Sequence, residues 1–103
     1  MTSSSSLDYG QAVATVQIDN DRVRVTEWRF PPGTQTSWHR HELDYVVVPT
    51  VAGHMSYETA EGQATRDLVV GESYAREAGS EHNVINKTDT EFAFVEIELK
   101  PQG

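Results

Sequence analysis

Cysteine is absent from the chain, which excludes disulfide frameworks, thiolate zinc sites and cysteine nucleophiles. Basic residues are few: 8 Lys and Arg stand against 16 Asp and Glu, for a formal net charge of −8. They are scattered from Arg22 to Lys100, without the clustering that drives binding to phosphate backbones or anionic bilayers, so neither nucleic acid nor a membrane is expected as a partner. Long apolar runs are missing too. Val46-Val47-Val48 stops at Pro49, far short of the ~20 residues of a spanning helix. Residues 1–7 begin Met1-Thr2-Ser3-Ser4-Ser5-Ser6 and lack the basic start and apolar stretch of a signal peptide, so a disordered tail and a cytoplasmic protein are expected. The 103 residues suffice for one domain with a modest core, expected over 8–103. Any metal chemistry must come from carboxylates and the 4 His.

Turn residues punctuate the chain at short intervals, as in Asp19-Asn20-Asp21, Pro31-Pro32-Gly33, Glu61-Gly62 and Ala78-Gly79. Between them lie segments too short for helices, several with alternating polarity. Val23 and Val25 alternate with Arg22, Arg24 and Thr26, and Phe92 and Phe94 stand opposite Ala93, Val95, Ile97 and Leu99. Strands are expected at 12–18, 22–29, 35–40, 43–49, 53–60, 63–70, 73–76, 82–87 and 91–99. The fold class is therefore all-β, and pattern alone leaves sandwich, jelly roll and up-and-down barrel open. Met55, Tyr57, Tyr74 and Phe92 are expected to fill the interior, and the acidic residues to lie on solvated strand faces.

Three of the histidines fall in two windows. Trp38-His39-Arg40-His41 reads as strand, where alternate residues project to one face, so His39 and His41 converge while Trp38 points to the opposite side. Two neutral imidazoles aimed at one point begin a metal site. The second window, Glu81-His82-Asn83, follows the Ala78-Gly79 turn. His54 lies outside both windows and reads as an exposed residue. Arg24 and Arg76 are the cations a small carboxylate would use if either faced inward; solvated positions are the plainer expectation.

These windows resemble the two motifs of the cupin family. The first runs Gly33-Thr-Gln-Thr-Ser-Trp-His39-Arg-His41-Glu-Leu-Asp-Tyr45 and on to Gly53. The second runs Gly71-Glu-Ser-Tyr-Ala-Arg-Glu77-Ala-Gly79-Ser-Glu-His82-Asn-Val-Ile-Asn86. The sequence around them is similar to that of small single-domain cupins, including proteins assigned to β-alanine degradation. The resemblance implies a cupin jelly-roll barrel (double-stranded β-helix) with a divalent metal at its mouth. Two positions depart from the pattern: Tyr45 stands where a ligating Glu is expected, and Glu77 replaces the motif-two Pro. Carried over residue by residue, the ligands are His39, His41 and His82.

A three-histidine set implies one divalent transition metal ion, Fe(II) ahead of Ni, Mn or Zn, with positions left open for substrate. Tyr45 is the candidate catalytic residue, as hydrogen-bond donor to an oxygen on the metal or as general acid, with a packing role as its alternative. Asp44 and Glu42 are nearby carboxylates, but neither shares strand parity with His41. The expected function is a small-molecule metalloenzyme of dioxygenase or isomerase type acting on a small carboxylate. A non-catalytic small-ligand-binding module is the alternative, and a metal-free sugar-nucleotide epimerase fits less well. A homodimer is expected, with the segment Ala12–Ile18 adding to a neighbour's sheet edge.

Overall fold

The computed structural model describes residues 8–102; the expected tail at 1–7 lies outside them. Among the described residues the chain forms eleven strands: β1 (Gly10–Gln11), β2 (Val13–Asp19), β3 (Val23–Phe30), β4 (Thr34–Gln35), β5 (His39–Arg40), β6 (Tyr45–Val51), β7 (Gly53–Thr59), β8 (Gly62–Leu68), β9 (Tyr74–Arg76), β10 (Glu81–Ile85) and β11 (Phe92–Leu99). One sheet is ordered β2-β3-β11-β6-β9. The other is ordered β1-β4-β10-β7-β8, with β5 pairing to β10. Face to face they make a jelly roll, as expected. No helix of the described residues is long and apolar enough to cross a membrane.

Strand β11 is the spine of the first sheet. It pairs antiparallel with β3 from Phe92↔Phe30 to Leu99↔Val23, and on its other side with β6. Period-two alternation sends Phe92 and Phe94 into the interior with Phe30, Val47 and Met55, all buried. Phe30 and Phe92 stack with ring centroids 4.8 Å apart. Met55 and Phe92 thus fill the core as expected, while Tyr57 and Tyr74 pack against it partly buried.

Three local departures shape the site. The segment expected at 35–40 is not one strand: Ser37 takes φ +77°, a left-handed conformation uncommon outside glycine, and breaks it into β4 and β5. Trp38 follows this kink and is 51% exposed, on the outer side but packed under no sheet. The segment expected at 12–18 begins earlier, because Gly10 and Gln11 pair in parallel with Thr34 and Gln35 of the second sheet before the chain crosses to β2 in the first. β2 is an edge strand exposed along its whole length.

Motif two ends on a structural asparagine. Asn86 is fully buried. Its amide donates to the carbonyls of Phe30 and Thr90, each at 2.8 Å, and its carbonyl accepts from Thr88 N–H at 2.9 Å and Thr88 Oγ1 at 2.7 Å. Every capacity of the side chain is used, which ties β10 to the ends of β3 and β11. The missing motif-two proline is tolerated because Gly79, at φ +94°, turns the chain by itself. Ala78 N–H donates to Asp44 Oδ1 at 2.8 Å and Gly79 N–H to the His41 carbonyl at 2.8 Å.

Candidate metal centre

β5 and β10 place two of the histidines directly opposite each other, in the register His82↔His39. His41 follows two residues after His39, so all three rings lie on the inward face at the mouth of the barrel. Nε2 of His41 is 3.0 Å from Nε2 of His39 and 3.1 Å from Nε2 of His82. Among the described residues these three form one of the groups able to offer ligand atoms to a single ion. With metal–nitrogen bonds of about 2.1 Å, neighbouring ligands of an octahedron stand about 3.0 Å apart and those of a tetrahedron about 3.4 Å. The donor set therefore fits a divalent ion, with the two spacings at His41 matching neighbouring octahedral ligands.

The ring orientations are fixed from outside. His39 Nδ1 lies 2.9 Å from the Ser37 carbonyl, which can only accept, so Nδ1 carries the proton and Nε2 faces inward as a lone pair. The Ser37 carbonyl also accepts from Thr36 Oγ1 at 3.0 Å. Ser37 N–H donates to Asn83 Oδ1 at 2.9 Å, and Asn83 Nδ2 donates to Gln35 Oε1 at 2.8 Å. The left-handed Ser37 is thus what aims a carbonyl at the histidine. On the other side, Tyr45 is buried and stacks on His41 with centroids 3.9 Å apart and planes 21° apart.

Burial disfavours charge on two of the three rings. It lowers the His41 pKa to about 4 and that of His82 to about 3, with the other ring charges and Arg76 adding to the shift. Both rings are neutral at pH 7, each keeping one N–H and one nitrogen lone pair, as metal ligation requires. Burial raises the Tyr45 hydroxyl to about 12, so at neutral pH it can donate a hydrogen bond.

The three histidines expected as ligands come together with Tyr45, while the nearby carboxylates, His54 and Arg24 lie apart from them. Asp44 is exposed and caps Ala78 N–H. Glu42 is exposed beside Arg40. His54 sits on the surface, 2.7 Å from Asp67. Arg24 donates from Nε to Glu98 Oε1 at 2.9 Å. Arg76 instead faces inward, lining the cavity with His41, His82 and Tyr45.

One group contradicts the expectation that acidic residues lie on solvated faces. Glu96 is partly buried and lines the same cavity, and a carboxylate oxygen of it, one of Glu98 and a ring nitrogen of His41 lie within 4.8 Å of one another. Burial, with Glu98 adding and Arg24 opposing, raises its pKa to about 7. The signal was in the alternation: Glu96 and Glu98 share parity with the inward-facing Phe92 and Phe94.

The cavity has two parts. The inner pocket, about 20 Å³, is walled by Met55, Tyr57, Tyr74 and Arg76 around the histidines. Beside it an outer cleft of about 360 Å³ is lined by Arg24, Thr26, Arg40, Glu96 and Glu98. The first has room for a water-sized body and the second for a small metabolite.

A family model for the cupin domain matches residues 26–98. The chain belongs to the cupin family. This cupin is 57% identical, over 90 residues, to the beta-alanine degradation protein BauB of Pseudomonas aeruginosa, covering 87% of this chain and 95% of that protein. A crystal structure of a cupin domain from Bordetella pertussis superposes with a TM-score of 0.88 at 61% identity, covering 90% of this chain and 97% of the other. An RmlC-like cupin family protein from Methanocaldococcus jannaschii, described as a double-stranded β-helix, matches at TM-score 0.74 and 13% identity over 90% of this chain and 84% of its own, a likeness of fold alone.

Proposed function

We propose that this cupin is a metalloprotein acting on a small carboxylate metabolite, with His39, His41 and His82 as the ligands of one divalent transition metal ion, Fe(II) foremost. The observation that carries the reading is the convergence of three Nε2 atoms. Lone pairs 3.0 to 3.1 Å apart repel unless a ring N–H or a cation lies between them; burial disfavours the extra proton that would make an imidazolium, and a single metal cation would meet all three nitrogens at once. A divalent ion held there by His39, His41 and His82 would supply a Lewis acid. The chain's own groups do the rest. Tyr45 braces His41 by stacking and offers its hydroxyl to the substrate, while the aromatic walls keep water from the reacting centre. The name of the Pseudomonas aeruginosa relative supports a substrate among the short carboxylates of β-alanine breakdown.

Titration of chelator-treated protein with Fe(II) under argon tests the reading, with an expected end point of about one ion per chain; an end point near zero overturns it. Incubating the loaded protein with oxygen and a panel of short carboxylates then separates an enzyme from a binder, turnover being the expected result. Asn83→Ala removes the hydrogen bond to Ser37 N–H and slackens the carbonyl that orients His39. Its metal affinity is expected to fall about 10- to 100-fold when measured well below its own thermal midpoint, which the unpaired partners of the buried Asn83 are expected to lower. Unchanged affinity would show that Asn83 does not position His39.

A further inference from the structure

We infer that the outer face of the first sheet, the side turned away from the histidines, docks a second copy of this chain, sheet against sheet. Docking there needs no metal, so it stands apart from the proposed metal centre.

An antiparallel sheet with one wet face alternates apolar residues inward with polar residues outward. The second sheet obeys this. On the outer face of its β7–β8 pair His54 stands opposite Asp67, Ser56 opposite Thr65 and Glu58 opposite Gln63. The first sheet does not. Strand parity sends Trp28, Tyr45, Phe94 and Glu96 to the cavity, and the residues between them, on the opposite side of the sheet, are mostly apolar as well. The register carries one unbroken apolar row across all five strands, Ile18↔Val25↔Ile97↔Val46↔Ala75. Val95 pairs with Val48 in a row on one side of it, and Leu99 with Val23 in a row on the other. Ile18 and Leu99 are 47% and 45% exposed, and Val25, Ile97 and Val46 partly so. The second sheet packs on the Phe92 and Phe94 side and gives them no cover. An apolar face this continuous marks an interaction surface.

What covers such a face must be apolar, broad and matched to its twist. Residues 1–7 offer only Met1 and Leu7 as apolar side chains, too few to cover the row. A second copy meets all three demands, since two sheets of the same twist pack aligned about 10 Å apart. Charge favours it too. Outward on these strands the charged side chains are Glu27 and Arg29, 3.5 Å apart, so the face is neutral while the chain carries −8. Two copies repel each other least when they meet there. The size also suffices. Four strands of seven or eight residues and the shorter β9, about 4.8 Å apart and rising about 3.3 Å per residue, make a face of roughly 500 Å². Two copies together bury about 1,000 Å², the lower end of the range for specific interfaces. The partner therefore meets the face of this sheet and not the exposed edge at β2.

Sedimentation velocity of the full chain from about 1 to about 100 μM is the test, because association follows mass action. The wild type is expected to reach twice the 11.5 kDa of one chain. Ile97→Asp sets an unpaired charge in the middle of the row on each copy and is expected to weaken association at least about a hundredfold. That substitution also strains β11, so a milder variant accompanies it. Val25→Thr combined with Val46→Thr keeps β-branched side chains on both strands and is expected to weaken association at least about tenfold, with the circular dichroism spectrum unchanged. Thr65→Asp, on the outer face of the second sheet, is expected to leave the dimer intact. A wild type that sediments as one chain at every concentration overturns the inference. So does a dimer that withstands the double threonine variant, which would place the contact elsewhere, or one that Thr65→Asp weakens equally.

Discussion

His82→Ala is expected to abolish metal binding: about one ion per chain in the wild type falls to near zero, and any residual affinity drops at least about a hundredfold, beyond what loss of a supporting hydrogen bond costs. Position 82 is decisive because its ring stands opposite His39 across the β5–β10 ladder while its Nε2 meets that of His41. Removing it leaves two donors on one strand end. The same change is visible without chemistry. A ligand present at about 100 times its Kd stabilises the folded state by about 2.7 kcal/mol, which in a domain of this size raises the thermal midpoint by about 10–20 °C. The wild type should show that rise on adding metal and His82→Ala should not. His54→Ala serves as the control, since His54 is exposed and its only partner among the described residues is Asp67, and it should keep both the ion and the rise. A variant at position 82 that retains metal and shift would show the ion to be elsewhere.

Much of this site was legible because its chemistry is carried by spacing. His39 and His41 share strand parity, and the interval to His82 survives the loss of the motif-two proline because Gly79 makes the turn. What could not be read depends on contacts between distant residues. Nothing local marks Ser37 as left-handed; the conformation is held by Asn83, 46 residues away. The parallel pairing of Gly10 with Thr34 likewise has no periodic signature. Glu96 is a different failure. Its parity was readable beside Phe92 and Phe94, but residue type was allowed to outweigh position. The loss of the expected ligand at Tyr45 is not filled by Glu96, whose carboxylate groups with His41 and Glu98 rather than with His39 and His82. Tyr45 in turn braces His41. Its ring lies flat on His41, so the packing role is occupied, and the same burial that seats it keeps its proton in place.

Phe92→Ala is expected to cost about 3–5 kcal/mol of stability, a large share of the 5–15 kcal/mol typical of a domain. Phe92 is fully buried, stacks on Phe30, and lies against Gly53 so closely that a Cβ built there would stand 2.6 Å from the Phe92 Cβ. Surroundings this tight cannot collapse into the space left by the ring. Urea unfolding should show the midpoint falling with its slope unchanged; a loss under about 1 kcal/mol would mean that the pocket around Phe92 is loosely packed. Phe92→Leu keeps most of the volume and should lose less than about 1.5 kcal/mol. It should also bind metal like the wild type. One face of β11 runs from Phe92 and Phe94 in the core to Glu96 and Glu98 beside His41, so the packing that holds the barrel is concentrated at one end of the strand and its polar lining at the other.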